Sequence, residues 1–201
     1  PVHLGIPGRH NVMNALAAAT VAMRYGMAPE TVARILASQH TISPHRMALS
    51  TVNREGTSFT LIDDSFNANP DSMKAGLNGL KAWNSNDGKE PFRVALLGAM
   101  LELGADETAL HTSIGTYADE LGIDAIIAVG SAQDQHLDAL AQALADGARQ
   151  SQSASVDCVH DIDAAEQLVI DLARNHPDAV VLLKGSHASG LSALAERWAK
   201  N

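Results

Sequence analysis

Cysteine is nearly absent: Cys158 stands alone among 201 residues, which excludes an internal disulfide and fits a reducing, cytoplasmic compartment. Basic residues are scarce, 14 Lys and Arg against 23 Asp and Glu, for a formal charge of -9. That balance argues against a nucleic-acid backbone or an anionic membrane as main partner, so an anionic ligand has to be held locally. No apolar run approaches the roughly 20 residues that span a bilayer, and no signal-peptide pattern opens the chain. It begins on Pro1 instead of Met, which reads as an excised piece of a longer protein. The G-x-x-x-x-G-K-[ST] phosphate loop is missing, and Gly5-Ile6-Pro7-Gly8-Arg9-His10 lacks both its lysine and its spacing. There is no G-x-S-x-G elbow, no G-x-G-x-x-G at the first βα turn and no Cys/His metal spacing; His40 and His45 do not stand at a helical i, i+4 interval. If such a chain handles a nucleotide, it supplies only part of the site.

With 46% hydrophobic residues in 201, the chain buries one good core, or one core with a small appended piece. His10 to Tyr25 is Ala-rich and reads as a helix stopped at Gly26, and Pro29-Glu30-Thr31 opens a second helix to about Ser38. The pattern changes at Thr41-Ile42-Ser43-Pro44, which divides the chain into 1–43 and 44–201. Apolar runs then follow at Ala48–Val52, Phe59–Ile62, Val94–Leu97, Ala125–Val129, Val156–Val159 and Val180–Leu183. Helical windows separate them at Asp71–Trp83, Glu107–Leu121, Gln135–Gly147, Ile162–Asn175 and Leu191–Lys200. Strands alternating with helices predict an α/β fold with a mostly parallel sheet and right-handed crossovers. The first two runs, joined by Asn53-Arg54-Glu55-Gly56-Thr57, read as a hairpin, and Asn84 to Pro91 as a surface loop.

The segment Asp63-Asp64-Ser65-Phe66-Asn67-Ala68-Asn69-Pro70-Asp71-Ser72-Met73 ends an apolar run in carboxylates and amides and then opens a helix on Pro70. Ligands of open α/β sheets gather at such C-terminal strand ends; turn and cap hydrogen bonds account for Asp64, Asn67 and Asn69 equally well. Lys184-Gly185-Ser186-His187 follows Ala179–Leu183, so a cation and a hydroxyl leave a buried strand beside a glycine open to close approach. This suits an anion, and a solvated strand-end lysine is the plain alternative. In Leu97-Gly98-Ala99-Met100-Leu101-Glu102-Leu103-Gly104, Glu102 is the only charge before Asp106, fit for substrate or hinge contacts or for loop solvation. His111 on the next helix either points to that loop or packs. Asn14 stands one turn after His10 and Asn11 on the same helix face. Its amide donates and accepts at once, as an adenine edge requires, while capping accounts for Asn11. Arg46 offers a planar fork to a phosphate or an ion pair between domains.

Taken together and in order, these segments resemble the Mur ligases of peptidoglycan synthesis, and within them the branch that adds D-alanyl-D-alanine to UDP-N-acetylmuramoyl-tripeptide. Gly8-Arg9-His10-Asn11-Val12-Met13-Asn14-Ala15-Leu16-Ala17-Ala18 is similar to the helix closing the central ATPase domain, and Asn67-Ala68-Asn69-Pro70 is the most specific element. Leu97-Gly98, Leu101 to Gly104, His111 and Lys184-Gly185-Ser186 match later motifs. The resemblance implies that 1–43 closes the central domain and 44–201 is a Rossmann-like C-terminal domain. It implies an ATP-dependent, Mg²⁺-assisted bacterial enzyme that forms an acyl phosphate on the tripeptide carboxylate, which the D-alanyl-D-alanine amine then attacks. Asn14 then faces adenine, Asp64 the ribose and Arg46 the phosphates; Asn67 and Asn69 line the nucleotide side; Lys184, Ser186 and Glu102 face the substrates, with Lys184 and Arg46 catalytic. The resemblance also implies Tyr where Phe66 stands, Asp at Ala99, Gly at His45 and Arg at His187. The N-terminal UDP-sugar domain and the phosphate loop of the family are missing, so the chain alone is expected to be inactive. Two other readings compete: a nucleotide-binding or interaction module, and a folylpolyglutamate-type ligase.

Overall fold

The computed structural model describes residues 3–5, 9–39, 44–84, 90–150 and 154–200. The expected boundary at Thr41–Ser43 and residues 85–89 of the expected surface loop lie outside the described residues. Two helices, α1 (Arg9–Arg24) and α2 (Pro29–Ser38), precede the hairpin β1 (Ala48–Arg54) and β2 (Thr57–Asp64). There follow α3 (Pro70–Lys81), β3 (Arg93–Gly98), α4 (Glu107–Glu120), β4 (Ala125–Val129), α5 (Gln135–Ala148), β5 (Ser155–Val159), α6 (Ile162–Asn175), β6 (Val180–Lys184) and α7 (Leu191–Ala199). Every predicted helix and strand is present. The sequence reading stops β2 and β6 short, because it ends a strand at the first charge; the structure keeps Asp63, Asp64 and Lys184 inside the strands. Short 3₁₀ turns at Gly104–Asp106 and His187–Ser189, which no periodicity announces, lead into α4 and toward α7. Asn11 lies within the first turn of α1 rather than at its cap.

The sheet has six strands in the order β1-β2-β6-β3-β4-β5; β1 runs antiparallel to β2 and the other pairings are parallel. The central strands β3, β4 and β6 are buried along their whole length, as parallel strands covered on both faces must be. Alternate residues point to opposite layers. Ala95, Leu97, Ile126, Ala128, Val180 and Leu182 pack with α3, α4 and α5 side chains such as Leu77, Ile114 and Leu144. Val94, Leu96, Ile127, Val181 and Leu183 pack with Val169 of α6 and Leu194 and Trp198 of α7. The chain steps outward from β2 to β5 with its helices on one face and returns to β6 by α6. A right-handed crossover in the reverse direction requires the other face. The return strand therefore lands between β2 and β3, which creates a switch point with three strand exits side by side.

The return leg is clasped by one carboxylate. Glu166 of α6 accepts from Arg54 of β1 at 3.2 Å and from Arg197 at 2.6 Å and Trp198 Nε1 at 2.8 Å on α7. The Trp198 indole meets Phe59 of β2 edge-on, with ring centroids 5.2 Å apart. Burial alone would raise the Glu166 carboxyl, but the hydrogen bonds from Arg197, Trp198 and Arg54 together hold it below the usual range. A lowered carboxyl binds fewer protons folded than unfolded. Its stabilisation is therefore complete above the ordinary glutamate range and disappears as pH falls through the lowered folded value. Glu166→Gln is expected to destabilise the fold at pH 7 by about 2 kcal/mol, less than a fully buried pair because Arg197 keeps solvent contact. Urea unfolding at pH 7 and pH 3 checks this, since the difference from wild type should shrink at the lower pH.

Candidate functional site

Strand register sets the centre of the site: Asp64 pairs with Lys184, and Lys184 with Leu97 on its other side. The Lys184 side chain is 2% exposed and its Nζ lies 2.9 Å from Asp64 Oδ2. The ammonium also donates to the main-chain carbonyls of Asn67 at 2.7 Å and Asp64 at 3.3 Å. A buried cation needs a counter-charge and a full set of acceptors, and here all three are supplied by the β2 exit. The aliphatic stem has room because Gly76 of α3 faces it; a Cβ there would sit 3.0 Å from Lys184 Cδ. Lys184 thus shapes the turn after β2, its ammonium engaged by acceptors from that exit.

The turn is satisfied from within. Ser65 donates to Asp63 Oδ1 at 2.6 Å, Asn67 Oδ1 accepts from the Ala68 N–H at 2.8 Å, and Asn69 Oδ1 caps α3 through the Ser72 N–H at 2.8 Å. The Ser72 hydroxyl returns a bond from the Asn69 N–H at 3.0 Å, completing a capping box with Pro70 in the first turn. The side-chain oxygens of Asn67 and Asn69 therefore serve the turn.

A strap of residues 44–47 lies across this turn. The Met47 N–H donates to Asp64 Oδ1 at 3.2 Å and the Phe66 N–H to the His45 carbonyl at 3.1 Å. His45 and Met47 have φ of 60° and 50°, a conformation that favours glycine and explains why the resemblance implies Gly at 45. The His45 ring holds the strap by contacts to Asp63 Oδ2 at 2.8 Å and Glu196 of α7 at 3.5 Å. The Arg46 guanidinium sits over the Phe66 ring, 4.3 Å from its centroid.

An open cavity of about 720 Å³ lies above this turn, and Asn14, Arg46, Asp64, Asn67, Asn69 and Lys184 all line it. Six of the predicted residues are thus brought together from α1, the strap, β2, the turn after it and β6. Asn14 donates to Asn11 Oδ1 at 3.3 Å, and both line the cavity. Sequence reasoning missed the Phe66 ring and the Met47 N–H; the first stands where the resemblance implies Tyr, and the second leaves no side-chain signal.

Ser186 and Glu102 do not line this cavity. Ser186 is 5% exposed and its Oγ has no hydrogen-bond partner among the described residues. Glu102 is exposed at the β3 exit with φ of 62°. His111 is fully buried and turned onto the same exit: its Nε2 accepts from the Met100 N–H at 2.8 Å, and its Nδ1 lies 2.7 Å from the Glu107 carbonyl. Burial pushes this imidazole below its ordinary range, against the hydrogen bond and charge of Glu107. No group of three or more His, Cys, Asp or Glu side chains that could hold a metal occurs among the described residues. Among the described residues no helix is long and apolar enough to cross a membrane.

Lys184→Met is expected to destabilise the chain by about 3 kcal/mol, because it leaves Asp64 and two inward carbonyls without their cation. Denaturant unfolding measures this, and a cost under ~1 kcal/mol would contradict the structural role.

The family model described as Mur ligase, glutamate ligase domain, matches residues 45–187. The UDP-N-acetylmuramoyl-tripeptide–D-alanyl-D-alanine ligase of Mycobacterium tuberculosis (strain CDC 1551 / Oshkosh) is 39% identical over 201 residues, covering 97% of this chain and 39% of that protein. The chain therefore spans about two fifths of the length of this curated relative. A crystal structure of MurF from Acinetobacter baumannii superposes with a TM-score of 0.78 at 27% identity, over 100% of this chain and 40% of that one. MurF ligase from Thermotoga maritima in complex with ADP shares the fold, with a TM-score of 0.67 at 21% identity over 97% of this chain and 39% of that one. The family match starts in the strap at His45 and ends just past the β6 exit at His187, so it encloses the Asp64–Lys184 pair, the capped turn and the His111 loop: the chain belongs to the Mur ligase family.

Proposed function

We propose that the chain supplies the C-terminal share of an ATP-dependent ligase that joins D-alanyl-D-alanine to UDP-N-acetylmuramoyl-tripeptide in the bacterial cytoplasm. Residues 1–43 then close the central ATPase domain and 44–201 form the C-terminal domain, with the phosphate loop supplied by the rest of the central domain. The observation that carries this reading is the cavity in which an amide, a guanidinium and a carboxylate converge from α1, the strap and β2. That donor set suits a nucleoside triphosphate: Asn14 donates and accepts at a base edge. Asp64 is oriented by Lys184 and the Met47 N–H, and it keeps lone pairs for two ribose hydroxyls. Arg46 carries positive charge at the mouth of the cavity in a chain of formal charge -9, where it offsets phosphate charge as the phosphoryl group leaves. Charge neutralisation beyond that of Arg46 is what Mg²⁺, bound with the nucleotide, would supply. On the amine side, the buried Ser186 hydroxyl has unused hydrogen-bonding capacity for D-alanyl-D-alanine. The similarity of 97% of the chain to a D-alanyl-D-alanine-adding ligase favours this branch over a folylpolyglutamate-type enzyme.

Protein NMR of the ¹⁵N-labelled chain tests this. Mg-ATP is expected to shift the Asp64–Asn69 amides, and D-alanyl-D-alanine, but not glutamate, those of Lys184–Ser186. Arg46→Ala should weaken Mg-ATP by roughly tenfold, the loss of one charge-assisted contact, without lowering the unfolding midpoint, since Arg46 is exposed. No shift in either segment at millimolar ligand would overturn the assignment of these residues. The chain alone should release no phosphate from ATP with both substrates present; release above background would sink the claim that it is only part of the catalytic unit.

A further inference from the structure

The β3 and β6 exits touch through their backbones. A Cβ on Gly185 would lie 3.0 Å from Gly98 Cα and 2.6 Å from Ser189 Oγ, so both exits are glycines at their closest approach. One step further on, the Ser186 N–H donates to the Ala99 carbonyl at 2.9 Å, and the next N–H along the β3 exit, that of Met100, donates to His111. Ser186 in turn receives Ser189 Oγ on its carbonyl at 2.6 Å. Only its side-chain oxygen is left over. Ala99 and Met100 are buried, 1% and 0% exposed, so their peptides cannot substitute water for these partners.

The acceptor at Nε2 defines the tautomer. A ring nitrogen that accepts the Met100 N–H carries no proton, so Nδ1 holds it and donates to the Glu107 carbonyl. We propose that His111 is the positioning residue of the amine-substrate side: as the Nδ1–H tautomer it fixes the Met100 peptide, which aims the Ala99 carbonyl at Ser186 and so places the Ser186 hydroxyl for the incoming D-alanyl-D-alanine. This placement of substrate rests on the ligase reading above; the hydrogen-bond relay from His111 to Ser186 does not. It assigns a role to a helix residue that touches no ligand. It also gives the Ala99 position a main-chain function, independent of the carboxylate that the resemblance implies there.

The test uses the whole 201-residue chain. Long-range ¹⁵N–¹H correlation of the imidazoles should show His111 with a protonated Nδ1 and an unprotonated Nε2. His111→Gln, whose Oε1 reaches about as far as Nε2, should keep the Met100 and Ser186 amides near their wild-type shifts and protection. His111→Phe keeps ring volume without an acceptor and should speed Met100 amide exchange by about tenfold or more, the loss of one buried hydrogen bond. It should also move the Ser186 amide and abolish its response to D-alanyl-D-alanine, while the Mg-ATP shifts at Asp64–Asn69 persist. An Nε2–H tautomer in wild type, or a Ser186 amide unchanged in His111→Phe, overturns the relay. If wild type shows the tautomer and the relay but Ser186 does not respond to D-alanyl-D-alanine, the substrate placement falls together with the ligase reading of that side. If His111→Phe does not fold, the wild-type tautomer and the His111→Gln amides still decide the relay.

Discussion

An ammonium buried between β2 and β3 at the centre of the sheet is the constraint around which the rest of the site is arranged. Taking the Lys184 charge out of water costs several kcal/mol, and Coulomb attraction recovers it only if the partner is close and every donor is bonded. Asp64 must therefore stand at the same level of the neighbouring strand, which the parallel register provides. The Asp64 and Asn67 carbonyls must turn inward, which bends the chain after β2. With that bend made, Asn69 arrives extended, with φ of -144°, and is able to cap α3. A pair of this kind is weak evidence for stability but strong evidence for geometry. It spends the lysine charge inside the protein, while Arg46 stays exposed.

The residues that depart from the family pattern show how local physics adapts to the same frame. At position 45 the left-handed backbone favours glycine, yet histidine is among the side chains that tolerate it. Its contacts to Asp63 and Glu196 offset the backbone cost by tying the strap to β2 and α7. Phe66 lacks a phenolic hydroxyl but keeps the aromatic face, and that face holds the Arg46 guanidinium. His187, in place of arginine, has its Nδ1 3.1 Å from the Ser192 hydroxyl, which joins the 3₁₀ turn after β6 to α7.

The layers of the fold were legible in the sequence because central parallel strands read as unbroken apolar runs and the helices between them carry clear stops and starts. The residues that line the cavity were legible as types and as an ordered set. Their individual duties were less so. Lys184 after five apolar residues looks the same in sequence whether its ammonium faces a ligand or a carboxylate on the next strand. The difference lies in strand order, which places β6 beside β2 and is not local information. The oxygens of Asn67 and Asn69 are likewise divided between turn and ligand by dihedral angles. His111 appeared as a lone helical histidine, and only its distance to the Met100 N–H shows what it does.

Two depressed groups give the molecule a common response to acid. Neutral His111 binds fewer protons folded than unfolded, so its contribution is complete above the ordinary imidazole range and is lost as pH falls below it. Glu166 follows the same sign one window lower, below the ordinary carboxylate range. Acid thus reaches the β3 exit first, where a proton on Nε2 removes the acceptor for Met100, and the clasp between α6, α7 and β1 only later. The Asp64–Lys184 turn is bonded apart from both, by an ammonium and by the Met47 N–H. The β2 exit and the adjoining β3 and β6 exits share a sheet and a switch point, but their geometries are held by separate interactions. A perturbation can therefore disturb the placement of Ser186 while Asp64 and its turn stay as they are.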